Sequence, residues 1–360
     1  MKHAIASWLL FLCAAMAAGA QPLAVRPKLA VIGLVHSHVW NHLGRMAAMP
    51  EANLVGIAEP NQELAAEAKK LAPHAEYFTD YRQMIEAKQP NVVWAFVENS
   101  RHLEIVEYCA PRKIHVIFEK PLAATYADAL KIRDLAKKYG IQVMTNYQMA
   151  WWPANYTAKA QADSGAIGPV WRLHGIVGHG GPSSSGVRNK FFFDWLTDPV
   201  KNGAGALMDF GCYNALWSLW YLGRPETVYA TVTHLRPETF PKVEDSAVLV
   251  LTYKNGVGIF EASWDLPRSF QDLEVFGRSG SIYMTEPRVR MWKGREEKEV
   301  PLAPLPEDRR EPVTYLLSHI RSGRPLDGLV ALDINVGVNE IIEAAKESVK
   351  TGKPVKLEKK

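Results

Sequence analysis

Cysteine is scarce in this 360-residue chain, with 3 in all. Cys13 falls in an apolar leader, which leaves Cys109 and Cys212 for the mature chain and implies no disulfide framework. Long runs of one charge are missing too: 42 Lys and Arg against 38 Asp and Glu leave a formal charge of +4, spread along the chain. A nucleic-acid partner would call for a clustered basic patch, so none is expected, and only a mild preference for anionic ligands remains. Beyond the leader, no apolar stretch approaches the roughly 20 residues that span a bilayer, so the mature chain is expected to have no membrane association. What is present, 48% hydrophobic and 22% charged residues, is ordinary for a globular protein.

Residues 1–20 read as a secretory signal, with Lys2 at its start, an apolar run from Ile5 to Ala18, and the small residues Ala18-Gly19-Ala20 before Gln21. The expected location is therefore exported, periplasmic or secreted. No twin arginine precedes Leu9, which points to export before folding. The length favours two domains. They are expected over residues 27–148 and 149–330, with residues 331–360 as a helix and tail that return to the first.

From Lys28 to Thr145 short apolar runs alternate with helical periodicity, the pattern of a parallel sheet wrapped by helices. Strands are predicted at Leu29 to Ile32, Leu54 to Ala58, Val92 to Val97, His115 to Phe118 and Gln142 to Thr145, with a weaker one near Tyr77. Helices are predicted at about Val39 to Met49, Gln62 to Leu71, Leu103 to Ala110 and Tyr126 to Tyr139. Thr125 and Asp128 stand at capping-box spacing before the last of these. That order is Rossmann-type.

A dinucleotide site needs a glycine turn after the first strand and an acidic residue about 20 residues later, on the ribose hydroxyls. Gly33 and Glu59 occupy those places, and the charge of Glu59 favours NAD over NADP. The remaining glycines of the fingerprint are absent from Gly33-Leu34-Val35-His36-Ser37-His38. Phosphate would then rest on helix amino-terminal N–H groups, helped by Ser37 or a histidine such as His36 or His38. A His-x-His pair after a first strand also suits a metal-dependent hydrolase. No regular series of strand-end His and Asp ligands follows it, so no metal is expected.

In the second half, Trp151 and Trp152 are either a stacking platform for a sugar ring or core residues. The segment from Gly178 to Gly186 is expected to be a mobile loop. Glycines at 203 and 205 precede an apolar helix on which Asp209 and Tyr213, at i and i+4, would share one face where an acid/base pair can meet a substrate. Later segments, Thr227 to His234, Ala247 to Tyr253, Val257 to Trp264, Gln271 to Phe276 and Ser281 to Met284, alternate as antiparallel strands, with a hairpin turn at Asn255-Gly256. Closing helices are predicted at Tyr315 to Ile320 and Ile334 to Val349. The fold class is thus α/β, a Rossmann-type parallel sheet followed by an α+β domain with a large, mostly antiparallel sheet.

Two stretches carry a family likeness. His115-Val116-Ile117-Phe118-Glu119-Lys120-Pro121 plants a lysine at a strand end, and Asp209-Phe210-Gly211-Cys212-Tyr213 follows a glycine-rich turn. Together they resemble the Glu-Lys-Pro and Asp-x-Gly-x-His/Tyr motifs of the Gfo/Idh/MocA oxidoreductases, over essentially the whole mature chain. The resemblance implies NAD-dependent hydride transfer at a CH–OH group of a sugar, polyol or glycoside. It makes Lys120, Asp209 and Tyr213 the catalytic residues, with Tyr213 exchanging the hydroxyl proton and Lys120 lowering the phenol's pKa. It adds Glu119, Lys120, Asn99 and His102 to the cofactor contacts, with Ser100 in the same turn, although Asn99 or Ser100 could equally cap the next helix. It also implies a homo-oligomer formed through the carboxy-terminal sheet. Two alternatives stand beside it: a glycosidase-like enzyme that uses tightly bound NAD in a transient oxidation and elimination, and a cofactor-free carbohydrate-binding protein.

Overall fold

The computed structural model describes residues 27–358, so the leader lies outside the described residues. The amino-terminal half is a six-stranded sheet of β1 (Leu29–Ile32), β2 (Leu54–Ala58), β3 (Glu76–Phe78), β4 (Val92–Ala95), β5 (His115–Glu119) and β6 (Val143–Asn146). Its order is β3-β2-β1-β4-β5-β6, and every pairing is parallel. All four residues of β1, β4 and β6 are buried, as expected for strands covered on both faces.

Helices α1 (Val39–Ala48), α2 (Gln62–Leu71), α3 (Tyr81–Lys88), α4 (His102–Cys109) and α5 (Tyr126–Tyr139) wrap this sheet. Their starts are chemically defined. Asn61 accepts from the amides of Glu63 and Leu64 at 2.9 and 3.3 Å, and Thr125 Oγ1 accepts from the Asp128 amide at 3.1 Å. Helix α5 ends on Gly140 at φ 65°. Helix α3 is not among the predicted elements: it is short, capped by Asp80, and its few buried residues give little periodic signal.

The carboxy-terminal half begins with α6 (Pro153–Asp163), β7 (Val170–Gly178), α7 (Val187–Leu196), α8 (Ala206–Asp209) and α9 (Gly211–Leu222). It continues through β8 (Thr227–Thr233), β9 (Ser246–Tyr253), β10 (Gly256–Ser263), β11 (Phe270–Gly277), β12 (Ser281–Thr285), β13 (Arg288–Lys293) and β14 (Glu296–Glu299), and closes with α10 (Pro312–Ser322), α11 (Leu332–Thr351) and β15 (Val355–Lys356). The nine-stranded sheet runs β14-β13-β12-β11-β7-β10-β9-β8-β15 and is antiparallel except where β7 meets β10. Its inner face buries Ala247, Leu249 and Leu251 beneath helices, while Val248 and Tyr229 on the opposite face are 37% and 38% exposed. No described helix is long and apolar enough to cross a membrane.

Helix α11 packs on α9, on β8 and on α5 of the first half. Asn339 Nδ2 donates to the Ala123 carbonyl at 2.7 Å, in the turn that follows Lys120. Glu340 is bound by Arg224 at 2.8 and 2.9 Å and by the Tyr126 hydroxyl at 3.2 Å. One helix thus fastens the crevice between the sheets.

Candidate active site

The reacting end of the crevice is set by two turns, one of them glycine-dependent. Lys120 leaves the carboxyl end of β5 just before Thr125 opens α5. Asp209 ends α8, whose entry is held by Glu244: its carboxylate accepts from the amides of Gly205 and Leu207 at 2.8 and 3.0 Å. A Cβ on Gly205 would lie 1.9 Å from the Glu244 carbonyl oxygen, so only glycine lets the chain pass.

Lys120 and Asp209 meet there, each 5% exposed. The Lys120 ammonium donates to the Asp209 carboxylate and, at 3.0 Å, to the Asp209 carbonyl. The second carboxylate oxygen of Asp209 accepts from Trp264 Nε1 at 2.8 Å, just beyond β10. Burial disfavours both charges, yet each is outweighed by the other: Lys120 is held above its ordinary pKa by Asp209, and Asp209 below its own by Lys120 and the Trp264 hydrogen bond. The pair is ionised and spans the two halves.

Tyr213 departs from its expected placement. The helix is broken at Phe210 (φ −113°), so Asp209 ends α8 and Tyr213 lies in the first turn of α9, not one turn further along a single helix. The Lys120 ammonium sits 5.2 Å from the centre of the Tyr213 ring, a cation–π position, and no hydrogen bond joins the phenol to Lys120 or Asp209 among the described residues. Burial pushes the Tyr213 hydroxyl well above its ordinary pKa, and Lys120 offsets this only in part. The expectation that Lys120 would bring the phenol toward neutrality is therefore not met.

At the other end, Gly33 adopts φ +77°, and a Cβ there would lie 2.4 Å from Val97 Cγ1. The turn after β1 consequently presses against the turn after β4. Glu59 closes β2 and accepts from the amides of Leu34 and Asn61 at 2.6 and 2.7 Å. Burial raises its pKa, and those two amides oppose the rise. A cavity of about 310 Å³ opens beside these residues, with Val35 on its wall rather than across it. Arg82 and Arg101 also line it, and Arg101 is matched by Glu98 and Glu104.

The histidines of the loop separate. His36 is buried against Phe192 and Trp195 of α7, with ring centroids 5.1 and 5.5 Å away, and Trp195 Nε1 donates to the Val35 carbonyl at 3.1 Å. Burial, then His38 and Lys120, hold His36 neutral. His38 meets Glu119 through Nδ1 at 2.8 Å, and Asn146 Nδ2 donates to the other Glu119 oxygen at 2.8 Å. Burial opposes charge on Glu119, and the His38 contact outweighs it. Ser37 is half-buried at the entry to α1. Ligand-capable atoms of His36, His38 and Glu119 lie within 4.8 Å of one another. A cation there would face the nearby Lys120 ammonium, and Glu119 is already engaged by His38 and Asn146.

Asn99 does not cap the following helix. Its Nδ2 donates to Asn202 Oδ1 at 2.8 Å and to the Asn202 carbonyl at 3.2 Å, across the crevice. Ser100 is exposed, and its amide donates to the Lys201 carbonyl at 3.0 Å. His102 Nδ1 lies 2.9 Å from the Leu122 carbonyl, and its ring stacks on Phe118 at 4.1 Å. Burial lowers its pKa to about 4, so the ring is neutral with Nδ1 protonated. Asn99 Oδ1 and His102 Nε2 are left buried with no partner. Two orphaned acceptors, a glycine-tight turn and a cavity ending on a carboxylate fit a dinucleotide lying along the strand ends.

Several contributors were not singled out from sequence. Trp264 orients Asp209 from 55 residues away, Asn146 supports Glu119, and Trp195 pins the glycine loop. His179, half-buried near Lys120 and Asp209, is held neutral chiefly by burial.

The comparisons with known proteins agree with this fold. Residues 28–147 match the model of the oxidoreductase family with an NAD-binding Rossmann fold. Residues 156–283 match the GFO/IDH/MocA carboxy-terminal domain. The chain belongs to the Gfo/Idh/MocA oxidoreductase family, and its amino-terminal half is the NAD-binding domain. Among relatives, a levoglucosan dehydrogenase from Pseudarthrobacter phenanthrenivorans is 29% identical over 326 residues, covering 80% of this chain and 78% of that protein. A myo-inositol 2-dehydrogenase from Thermotoga maritima is 24% identical over 335 residues, covering 88% and 95%. Among solved structures, an aldose-aldose oxidoreductase from Caulobacter crescentus superposes with a TM-score of 0.78 at 21% identity, over 92% of this chain and 100% of that one.

Proposed function

We propose that the protein is an NAD-dependent dehydrogenase that oxidises a CH–OH group of a sugar, polyol or glycoside. The observation that carries it is the buried Lys120–Asp209 pair at the β5 end, reached from both halves and close to His36 of the glycine loop. Dehydrogenase relatives that act on levoglucosan and inositol support the substrate class. NAD bound along the strand ends would supply the hydride acceptor. As the hydride passes to NAD the hydroxyl proton would leave to water, while Lys120 would donate a hydrogen bond to the reacting oxygen and stabilise the negative charge that develops on it. Asp209 keeps Lys120 charged and aimed, Trp264 fixes Asp209, and Tyr213 provides the aromatic face under the ammonium. Glu59 would take the adenosine ribose hydroxyls, and its charge disfavours a 2′-phosphate. Gly33 and Ser37, with the loop histidines, would border the diphosphate. Glu119, Asn99 and His102 would surround the nicotinamide end.

A second reading, redox-neutral glycoside cleavage with a retained cofactor, is favoured by α7. Arg188 binds Glu67 of α2 at 3.1 Å and lies 4.6 Å from the Trp40 ring of α1, while Trp195 holds the loop. One helix so fastened would slow the departure of a dinucleotide beneath it. The leader supports export, and the open face of the large sheet, with Val248 and Tyr229, supports self-association, which sedimentation of the purified chain would read.

The test is to denature the purified protein, look for released NAD, and titrate the stripped protein with NAD and NADP. Lys120→Met strands the buried Asp209 carboxylate and should lower stability by about 3–5 kcal/mol, but the folded protein should keep its NAD affinity while turnover on a responsive sugar falls by at least about 1,000-fold. Retained turnover would remove Lys120 from the reaction, and failure to bind either dinucleotide would leave the cofactor-free alternative.

A further inference from the structure

A cavity of about 360 Å³ on the α1 side of the molecule belongs neither to the Glu59 slot nor to the Lys120–Asp209 pair. Arg45 and His42 of α1 form one wall, and Arg310, just before α10, another. Trp151 and Trp152 supply an aromatic side. No acidic residue lines it, and neither Arg45 nor Arg310 has an ion-pair partner among the described residues. The neighbouring Glu311 does not compensate Arg310, because its carboxylate is spent on the amides of Val313 and Thr314 at 3.0 and 2.7 Å, where it caps α10.

Trp151 on the aromatic side is fixed. Trp151 Nε1 donates to Asn146 Oδ1 at 2.8 Å, and its ring stands 5.7 Å from that of Tyr315 at 69°. His38 and Asn146, which both bind Glu119, also border the cavity. Through Glu119 it adjoins Lys120.

Two uncompensated guanidiniums in a concavity focus positive potential and present planar forks that match a carboxylate or phosphate. An immobilised indole beside them offers a flat apolar face to a pyranose ring. We propose that this pocket binds an anionic sugar, with Arg45 and Arg310 on its charged group and the tryptophans on its ring. The anion is a uronate carboxylate or a sugar phosphate. The inference deepens the dehydrogenase reading by giving the charge of the sugar, and rests on that reading only for calling the sugar a substrate.

Calorimetric titration of the full mature protein at low salt, without NAD, tests it with D-glucuronate, D-glucose 6-phosphate, D-glucose and acetate. At least one anionic sugar is expected to bind about tenfold or more tightly than glucose and than acetate, and the affinity should fall with added salt. Comparison of glucuronate with glucose 6-phosphate assigns the anion. Arg45→Gln and Arg310→Gln should each weaken that binding by about tenfold, with melting temperature and NAD affinity unchanged. Equal binding of glucose or of acetate, or a double variant that keeps full affinity, overturns the proposal. NAD titration in a separate arm distinguishes the two failures: loss of NAD binding defeats the dehydrogenase reading and leaves this one standing, whereas intact NAD binding with no preference for anionic sugars defeats this one alone.

Discussion

The two sheets handle polar groups in opposite ways. The parallel sheet is covered on both faces, and its chemistry collects at the strand ends, where charge is buried and must be matched. The antiparallel sheet keeps one face open, and ions on its outer strands stand in water. Lys120–Asp209 and Arg290–Glu297 are both ion pairs, but the first has side chains 5% and 7% exposed and the second 41% and 47%. Position, not pairing, decides what each contributes.

The sharpest way to break that contrast is to remove one partner from each. Asp209→Ala strands a buried ammonium and should cost about 3–5 kcal/mol in chemical unfolding, whereas Glu297→Ala should cost under about 1 kcal/mol. Similar losses would abolish the distinction. A somewhat smaller effect is expected from acid. His102 is buried neutral with a pKa lowered to about 4 from 6.5, so the unfolded chain takes up the proton first. Its contribution is intact above pH 6.5, declines as pH falls through that value, and is lost by about pH 4, amounting to roughly 3 kcal/mol. Unfolding followed across pH should show this loss in the native protein and a flatter profile in His102→Asn. Smaller again is Gly33→Ala, about 2 kcal/mol from positive φ and the approach to Val97. Its companion readout is NAD affinity, which should weaken, while a glycine at an open position such as Gly294 should tolerate alanine with a lesser penalty and no effect on NAD.

Much of the first sheet was legible because its strands are continuous apolar runs bounded by caps such as Asn61 and Thr125. The large sheet was legible in its alternating strands, β8 to β12. Helix α7 was not, because Phe191, Phe192, Phe193 and Trp195 leave no clean polar face, and they spread between crevice and core. Lys120 and Asp209 stood out through their motifs. Their supports did not: Trp264 is 55 residues from Asp209, and Asn202 is 103 from Asn99, distances over which periodicity is silent. The break at Phe210 was equally hidden, since the Asp209–Tyr213 interval suits an unbroken helix. That local kink sets the Tyr213 ring beneath the Lys120 ammonium.

The attachment of α11 bears on the order in which the molecule matures. The crevice wall contributed by the turn after Lys120 is braced by Asn339, and β15 completes the edge beside β8 only at Val355 and Lys356. A ribosome-bound chain therefore lacks its clasp until α11 and β15 have been made, so dinucleotide uptake is expected to follow synthesis of that helix rather than of the first sheet alone.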